Sequence, residues 1–436
     1  MRVVILGGGG FRTPLLVRAL RRAGLPDLDL VLCDTSPERL EVVAAVVGDV
    51  ELATDPATAL AGADLAFSAV RPGGTAERVH DERAALDRGV LGQETTGPAG
   101  LAFALRTLPT CLAHARLLPA DAPLLSMTNP AGTVTEALHP VLGARVVGVC
   151  DSPSGLIRRA ARALDLPPAA VVPDYLGLNH LGWLRALEVD GVDHLPRLLA
   201  DPSLLARTEE GRLFDPAFLQ RLGALPNEYL WYWYRTRDAV AGLRAAGRTR
   251  GEQIAADQAA FYAAAGADPA HAAQVWTAAN HARNASYLAE ARGEDEDRDT
   301  DDVDAGGYET VAVDLARRWT AAEPAAGPAA GPAAVLDVGA PVAGRPAGSV
   351  GETVCDVDAA GAHPRELPPP TPHQLGLMAT VKASERAVIE AATATDDATR
   401  RAAAYEAFAL HPLVGSLTVA RDLADDALRR AEPYRV

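Results

Sequence analysis

The chain has 436 residues, too many for one compact core, so its length calls for two domains or one large α/β domain with an appendage. Hydrophobic residues make up 48% of it, yet they never run far enough to span a bilayer, and no charged-then-apolar segment opens the sequence. These features argue against a membrane partner or a signal peptide and for the cytoplasm. A net charge of −16 leaves no excess of Lys and Arg for a phosphate backbone, so nucleic acid is not an expected partner.

The opening residues, MRVVILGGGGFR, read as a buried strand, four glycines (Gly7, Gly8, Gly9 and Gly10) and the entry to a helix over Thr13–Arg22. Glycines at a strand-to-helix turn let the backbone approach a phosphate, which the helix N-terminus then attracts. A second strand, over residues 28–32, leads to Asp34. An acidic residue at that spacing is where a dinucleotide fold holds the ribose hydroxyls, and its charge disfavours a 2′-phosphate, which selects NAD over NADP. The plainer alternative is that Asp34 only helps to cap the next helix, Pro37–Val47, through Ser36.

Further strands near residue 50 and over 64–70 alternate with helical stretches, the pattern of right-handed crossovers in a parallel sheet. The last of these strands ends in RPGGTAERVHDE, which sets Arg71, Gly73, Gly74 and Arg78 at the carboxyl edge, where such sheets bind ligands. Clustered arginines there read as anion or cofactor contacts rather than a solvated helix face. The loop GQETTGPAG is too polar for core; Gln93, Glu94 and Thr95 either meet sugar hydroxyls or satisfy their own backbone. A strand over 123–127 delivers Asn129, which offers a donor and an acceptor to a hydroxylated ligand or steadies its own turn.

The strand over 145–149 brings Cys150 and Asp151 to the same edge, and YLGLNHLGW places Asn179 and His180 near the start of a second-domain strand. Cys150 and His180 make a partial metal site without the close spacing of a structural one, and the open positions suit a catalytic cation that also takes substrate oxygens. Cys33, Cys111 and Cys355 read as packing thiols. In NEYLWYWY, Tyr229, Tyr232 and Trp233 share a face at helical spacing, either as core or with a tyrosine hydroxyl beside a cation acting as a general base. Residues 294–304 read as a solvated acidic loop and 321–334 as a low-complexity mobile connection. A strand over 351–358 and helices over 373–392, 396–409 and 416–430 complete the chain. The resulting expectation is an α/β fold with a Rossmann-like, NAD-binding parallel sheet in residues 1–170. Residues 171–436 form a substrate- and metal-binding α+β domain with a helical C-terminus.

Taken in order, GGGGFRTP, RPGG with Arg78, Asp81 and Glu82, GQETTGPAG, RTLP, TNPAGTVTEA, GVCDSP and GLNHLGW resemble the signature of glycoside hydrolase family 4. These are the NAD- and divalent-metal-dependent glycosidases, and the 6-phospho-β-glucosidases among them are the nearest in pattern. The resemblance implies that NAD⁺ takes a hydride from C3 of the sugar, a tyrosine then removes the acidified C2 proton, and the aglycone leaves C1. Water adds and the hydride returns. It also implies roles: Gly7 to Gly10, Phe11, Arg12, Asp34 and Arg71 at the cofactor; Arg78, Glu94, Asn129 and Asn179 at the substrate; Cys150 and His180 on Mn²⁺ or another divalent cation. Tyr229 would be the base, with Tyr232 as the alternative.

Three departures stand out. Asp151 occupies a position where the β-glucosidases usually have Asn; it resembles the 6-phospho-α-glucosidases and would serve as an acid for the leaving group. Gly10 replaces a frequent Ser, and residues 335–350 lack the family's Asn-rich strand. The competing activities are therefore a 6-phospho-α-glucosidase and a lactate- or malate-class dehydrogenase, the latter having no use for Cys150. The implied partner is a small phosphorylated glycoside, and the family's placement of active sites near subunit contacts implies a homodimer or homotetramer.

Overall fold

Apart from their end residues, the segments RVVIL, DLVLC and LAFS offer no polar side chain to water, so each must be covered on both faces. They form β1 (Arg2–Leu6), β2 (Asp29–Cys33) and, after β3 (Glu51–Ala53), β4 (Leu65–Ser68). With β5 (Leu124–Ser126) and β6 (Val146–Gly148) they pair in parallel in the order β3-β2-β1-β4-β5-β6. The connecting helices are α1 (Thr13–Arg22), α2 (Pro37–Val47), α3 (Pro56–Leu60), α4 (Gly74–Asp87), α5 (Ala99–Leu117), α6 (Ala131–Leu142) and α7 (Ser152–Ala163). The structure, a computed structural model, describes residues 1–25, 27–287, 298, 307–319, 334–339 and 348–435.

The sheet runs on past residue 170 with antiparallel strands. β7 (Val172–Leu178) and β8 (Leu181–Val189) form a hairpin, to which β9 (Val192–Asp193) and β10 (Leu225–Pro226) add at β8. β11 (Ala334–Gly339), β12 (Val350–Asp358) and β13 (Gly361–Pro364) bridge the two halves. Asp337 of β11 pairs with Gly148 of β6, while Glu352 and Thr353 of β12 pair with Gly177 and Leu176 of β7. The remaining helices used below are α8 (Leu230–Tyr234), α9 (Arg250–Ala267), α10 (Ala272–Ala285), α11 (Tyr308–Trp319), α12 (Pro372–Thr393), α13 (Asp397–Leu410) and α14 (Leu417–Ala431). No helix among the described residues is long and apolar enough to cross a membrane.

Side chains alternate along β1, as the pleat dictates. Val4 and Leu6 enter a core shared with α5, α6 and the late helices α12, α13 and α14. Val3 and Ile5 enter one shared with α1, α2, α9, α10 and α11. Both covers join helices from the first and second halves of the chain. Lys382 of α12 is buried with its ammonium 3.0 Å from Glu136 of α6, so a charge-assisted bond as well as apolar area holds that late cover in place.

Asn179 and His180 lie immediately before the start of β8: they are the two-residue tip between β7 and β8, with Leu178 paired to Leu181, and His180 has a left-handed φ of +60°. One expectation changes: Tyr229, Tyr232 and Trp233 do not share a face. Tyr229 precedes α8 as its N-cap residue, and the single turn that follows sends Trp233 away to stack on His411, with ring centroids 5.8 Å apart. The acidic run 294–304 apart from Arg298, and the low-complexity stretch 321–334 apart from Ala334, lie outside the described residues.

Candidate active site

The glycine turn is demanded by close packing. Gly7 has φ +80°, and a Cβ there would lie 2.5 Å from the Ala69 carbonyl oxygen after β4; a Cβ on Gly8 would lie 2.7 Å from that of Leu32. The Gly9 amide donates to Asp34 Oδ2 at 3.1 Å, and the Ser36 amide to Asp34 Oδ1 at 3.2 Å. Ser36 in turn caps α2, so Asp34 shapes the turn and steadies the cap at once. Gly7, Gly10, Phe11, Arg12 and Asp34 all border a cavity of about 930 Å³. The Phe11 ring packs away from it, edge-on to Phe261 at 5.2 Å, so a ligand meets the backbone of Phe11.

Next along the edge stands a sealed cluster of arginines and carboxylates. Glu94 is buried between Arg71, which is ion-paired to Oε1, and Arg78, whose Nη1 lies 3.0 Å from Oε2. Arg78 Nε also donates to Glu82 at 2.8 Å, and Glu82 accepts from the Gly251 amide at the start of α9 at 2.7 Å. Burial alone would raise the Glu94 pKa, but Arg71 and Arg78 overcome it and hold it at about 2. Behind them, fully buried Arg106 grips Asp81, with Nη1 3.1 Å from Oδ1. Burial still pushes Asp81 up to about 6 against that pairing. Arg71 keeps part of its surface, with its guanidinium 4.7 Å above the Phe103 ring. Asn129 reaches the cavity too, while its neighbour Thr128 is spent on Ser68 Oγ at 2.8 Å and the Val70 amide at 3.1 Å.

At the next strand end, Cys150 Sγ faces His180 Nε2 at 3.5 Å, and both residues are buried. The hairpin tip explains the meeting, since only a tight reversal between β7 and β8 returns His180 to the end of β6. Burial raises the Cys150 thiol well above its usual range, with Glu352 and Asp151 adding to the effect, and lowers His180 to about 4 against the pull of Asp151 and Glu94. An imidazole kept neutral suits metal ligation, and a cation would supply the charge that the thiolate needs. Among the described residues no third His, Cys, Asp or Glu completes a metal-binding group, which leaves positions for ligand oxygens. Tyr229 stacks on His180, with centroids 3.9 Å apart and planes at 29°, and lies within electrostatic reach of Arg78. Asp151 begins α7, 3.5 Å from Arg12.

The structure thus gathers twelve of the expected residues around one cavity: Gly7, Gly10, Phe11, Arg12, Asp34, Arg71, Arg78, Glu94, Asn129, Asp151, Tyr229 and Tyr232. Gly8, Gly9, Cys150, His180 and Asn179 do not line it, and Asn179 Nδ2 is buried without a hydrogen-bond partner among the described residues. Sequence reading missed Glu228, beside Tyr229 in NEYL. It is buried in the same cavity wall, accepts from Ser152 Oγ and from the Tyr287 hydroxyl at 3.2 Å, and is raised to about 7 by burial despite Arg159. Its partners Ser152 and Arg159 come from α7, Tyr287 follows α10, and Glu210 lies on the short helix Glu209–Leu213, elements that no local pattern joins.

Two family profiles match this sequence: the one described as family 4 glycosyl hydrolase over residues 2–166, and the one described as family 4 glycosyl hydrolase C-terminal domain over residues 175–414. The chain belongs to glycosyl hydrolase family 4. A probable 6-phospho-β-glucosidase of Bacillus subtilis (strain 168) is 34% identical to this family 4 chain over 274 residues, covering 58% of it and 62% of the relative. A maltose-6′-phosphate glucosidase of the same organism is 31% identical over 271 residues, 55% of this chain and 60% of that one. The matches therefore span about three fifths of those relatives' own lengths. Among solved structures, the Thermotoga maritima 6-phospho-β-glucosidase with NAD and glucose-6-phosphate superposes with a TM-score of 0.79 at 23% identity, over 100% of this chain and 99% of that one. A 6-phospho-α-glucosidase from gut microorganisms, in complex with NAD and Mn²⁺, gives 0.77 at 22%, over 99% and 98%. These likenesses establish the fold: a mixed sheet whose N-terminal half is Rossmann-like.

Proposed function

We propose that this family 4 chain is a 6-phospho-β-glucosidase that works on a small phosphorylated glycoside with NAD⁺ and Mn²⁺ or another divalent cation. One observation carries the reading: a single cavity has a dinucleotide-type turn on one wall and, on another, Tyr229 stacked on His180, which faces Cys150 at 3.5 Å. A plain dehydrogenase has no use for the second wall. The names of the Bacillus and Thermotoga relatives support the substrate class, and the NAD, Mn²⁺ and glucose-6-phosphate named with the solved structures support the ligands.

The residues fit both groups. The turn is a tight glycine bend whose Gly7 and Gly10 border the cavity, Asp34 stands where ribose hydroxyls would arrive, and a buried neutral imidazole faces a thiol. When bound, NAD⁺ supplies a hydride acceptor for C3 and the cation a Lewis acid for the sugar oxygens. The chain does the rest. Cys150 and His180 hold the cation; Tyr229 takes the C2 proton, its phenolate favoured by the Arg78 charge. Arg71, with part of its guanidinium open to the cavity, receives an anionic part of a ligand, while Asn129 meets a hydroxyl. Asp151, one third exposed at the rim beside Arg12, is placed to protonate the leaving group. That last residue favours a second reading, the 6-phospho-α-glucosidase. The proposal also takes the protein as a cytoplasmic homodimer or homotetramer, which sedimentation equilibrium would size.

The test is release of nitrophenol from α- and β-linked nitrophenyl glucoside 6-phosphates, with NAD⁺ and Mn²⁺ supplied or withheld. Cleavage of the β anomer that needs both additives, and falls at least about 100-fold in Cys150→Ser, is expected. Cleavage of only the α anomer moves the assignment to the second reading, and cleavage indifferent to both additives overturns it.

A further inference from the structure

The glycine turn is closed by residues that belong to neither β1 nor α1. The Tyr262 hydroxyl of α9 donates to the Gly9 carbonyl at 2.6 Å, and Trp276 Nε1 of α10 donates to the Phe11 carbonyl at 2.8 Å. The two donors lie 253 and 265 residues downstream of their acceptors. Within the turn, the Gly7 carbonyl already accepts from the Gly10 amide at 2.9 Å, and the Gly10 carbonyl from the Thr13 amide at 3.1 Å. The carbonyls of Gly9 and Phe11 find their donors only in α9 and α10.

Both side chains are held in place by more than these bonds. Trp276 is buried against Phe11, with ring centroids 6.3 Å apart, and Arg18 lies 4.5 Å over its ring; Arg39 lies 5.0 Å over the ring of Tyr262. A phosphate arriving at a glycine turn is attracted by amides and repelled by carbonyl oxygens. A donor on a peptide oxygen keeps that oxygen turned away and polarises the amide on the other end of the same peptide. For the Gly9 carbonyl that amide belongs to Gly10 and is itself spent on the Gly7 carbonyl, so the Tyr262 bond locks the turn; for the Phe11 carbonyl it belongs to Arg12, which borders the cavity.

We propose that Tyr262 and Trp276 are positioning residues for the dinucleotide: by holding the Gly9 and Phe11 carbonyls they keep these oxygens turned from the pyrophosphate and the turn in one shape, so cofactor affinity is tuned by two helices outside the Rossmann-like half. The inference rests on the NAD reading of this turn. The plain competitor is that a buried indole N–H and a phenol merely need acceptors of their own, and the two differ in which part of the ligand feels the loss.

The test compares the wild-type chain with Tyr262→Phe and Trp276→Phe, which keep a ring and remove the donor. NAD⁺ and ADP are titrated by calorimetry and adenosine by NMR, with Mn²⁺ binding as the check that each variant is folded. Each variant is expected to weaken NAD⁺ and ADP by about 3- to 10-fold, the worth of one hydrogen bond, with adenosine unchanged. Undiminished NAD⁺ and ADP binding in both variants overturns the inference, as does a loss that adenosine shares in full. A wild-type chain that binds adenosine, ADP and NAD⁺ not at all overturns the cofactor reading and this inference with it.

Discussion

The arginine cluster at the cavity and the carboxylates across β11 and β12 are both sealed from water, yet they are built on opposite arithmetic. In the first, Glu94, Glu82 and Asp81 each face a guanidinium, from Arg71, Arg78 or Arg106. In the second, Glu352 lies directly opposite Asp337 on the neighbouring strand. Burial first, and the Asp337 charge next, push Glu352 well above the usual carboxylate range, although the Tyr175 hydroxyl donates to it at 2.9 Å. The difference teaches that burial raises each of these carboxylates and that only enough opposite charge reverses it: Arg71 and Arg78 together bring Glu94 down, Arg106 leaves Asp81 raised, and Glu352 faces a second carboxylate.

The comparison breaks most visibly at Arg106. Replacing it by Met leaves Asp81 buried without its guanidinium and is expected to cost about 3–5 kcal/mol in urea unfolding; a loss under about 1 kcal/mol would mean that the pairing hardly matters. A smaller effect follows from Glu94. Its folded pKa, about 2, lies below the ordinary 4.5, so its stabilisation is complete above pH 4.5 and is lost as pH falls toward 2. Wild type should exceed Glu94→Gln by about 2–3 kcal/mol at pH 7, with that margin reduced by about 1 kcal/mol at pH 3.5. A margin that stays constant would contradict the depressed pKa. The smallest effect has the opposite sign. Because Glu352 is raised on folding, its contribution is best at low pH and is lost as pH rises above the unfolded value. Asp337→Asn removes one of the two facing charges and should stabilise by about 1 kcal/mol at pH 8 and by less at pH 5. Melting curves at the two pH values decide this, and a destabilisation equal at both would end the argument.

Much of the parallel half was legible because its signals are local. Strand, glycines, helix and Asp34 follow one another, and RPGG and TNPAG end short apolar runs at one edge. The meeting of Cys150 with His180 was legible from the residues only as a partial metal site, and more firmly through family resemblance, since the tip that joins them has no glycine at its left-handed position; His180 itself carries φ +60°. Tyr262 and Trp276 were invisible for a different reason. Nothing in DQAAFYAAAG or AAQVWTAAN says that a hydroxyl and an indole end on carbonyls of the first strand's turn. The same holds for Glu228, which burial raises, with Glu210 adding and Arg159 opposing, all through elements distant in sequence. Pairing across the chain is a property of tertiary packing, and single-sequence patterns carry only the near part of it.

The late helices α12 and α14 have a consequence for how the protein is made. They pack on α5, which itself covers one face of the parallel sheet. Leu105 of α5 emerges early from the ribosome, whereas Val388 and Leu423 follow nearly three hundred residues or more afterwards. At roughly 5–20 residues per second, the outer side of α5 stays uncovered for on the order of tens of seconds in every round of synthesis, an apolar helix face for a chaperone to shield.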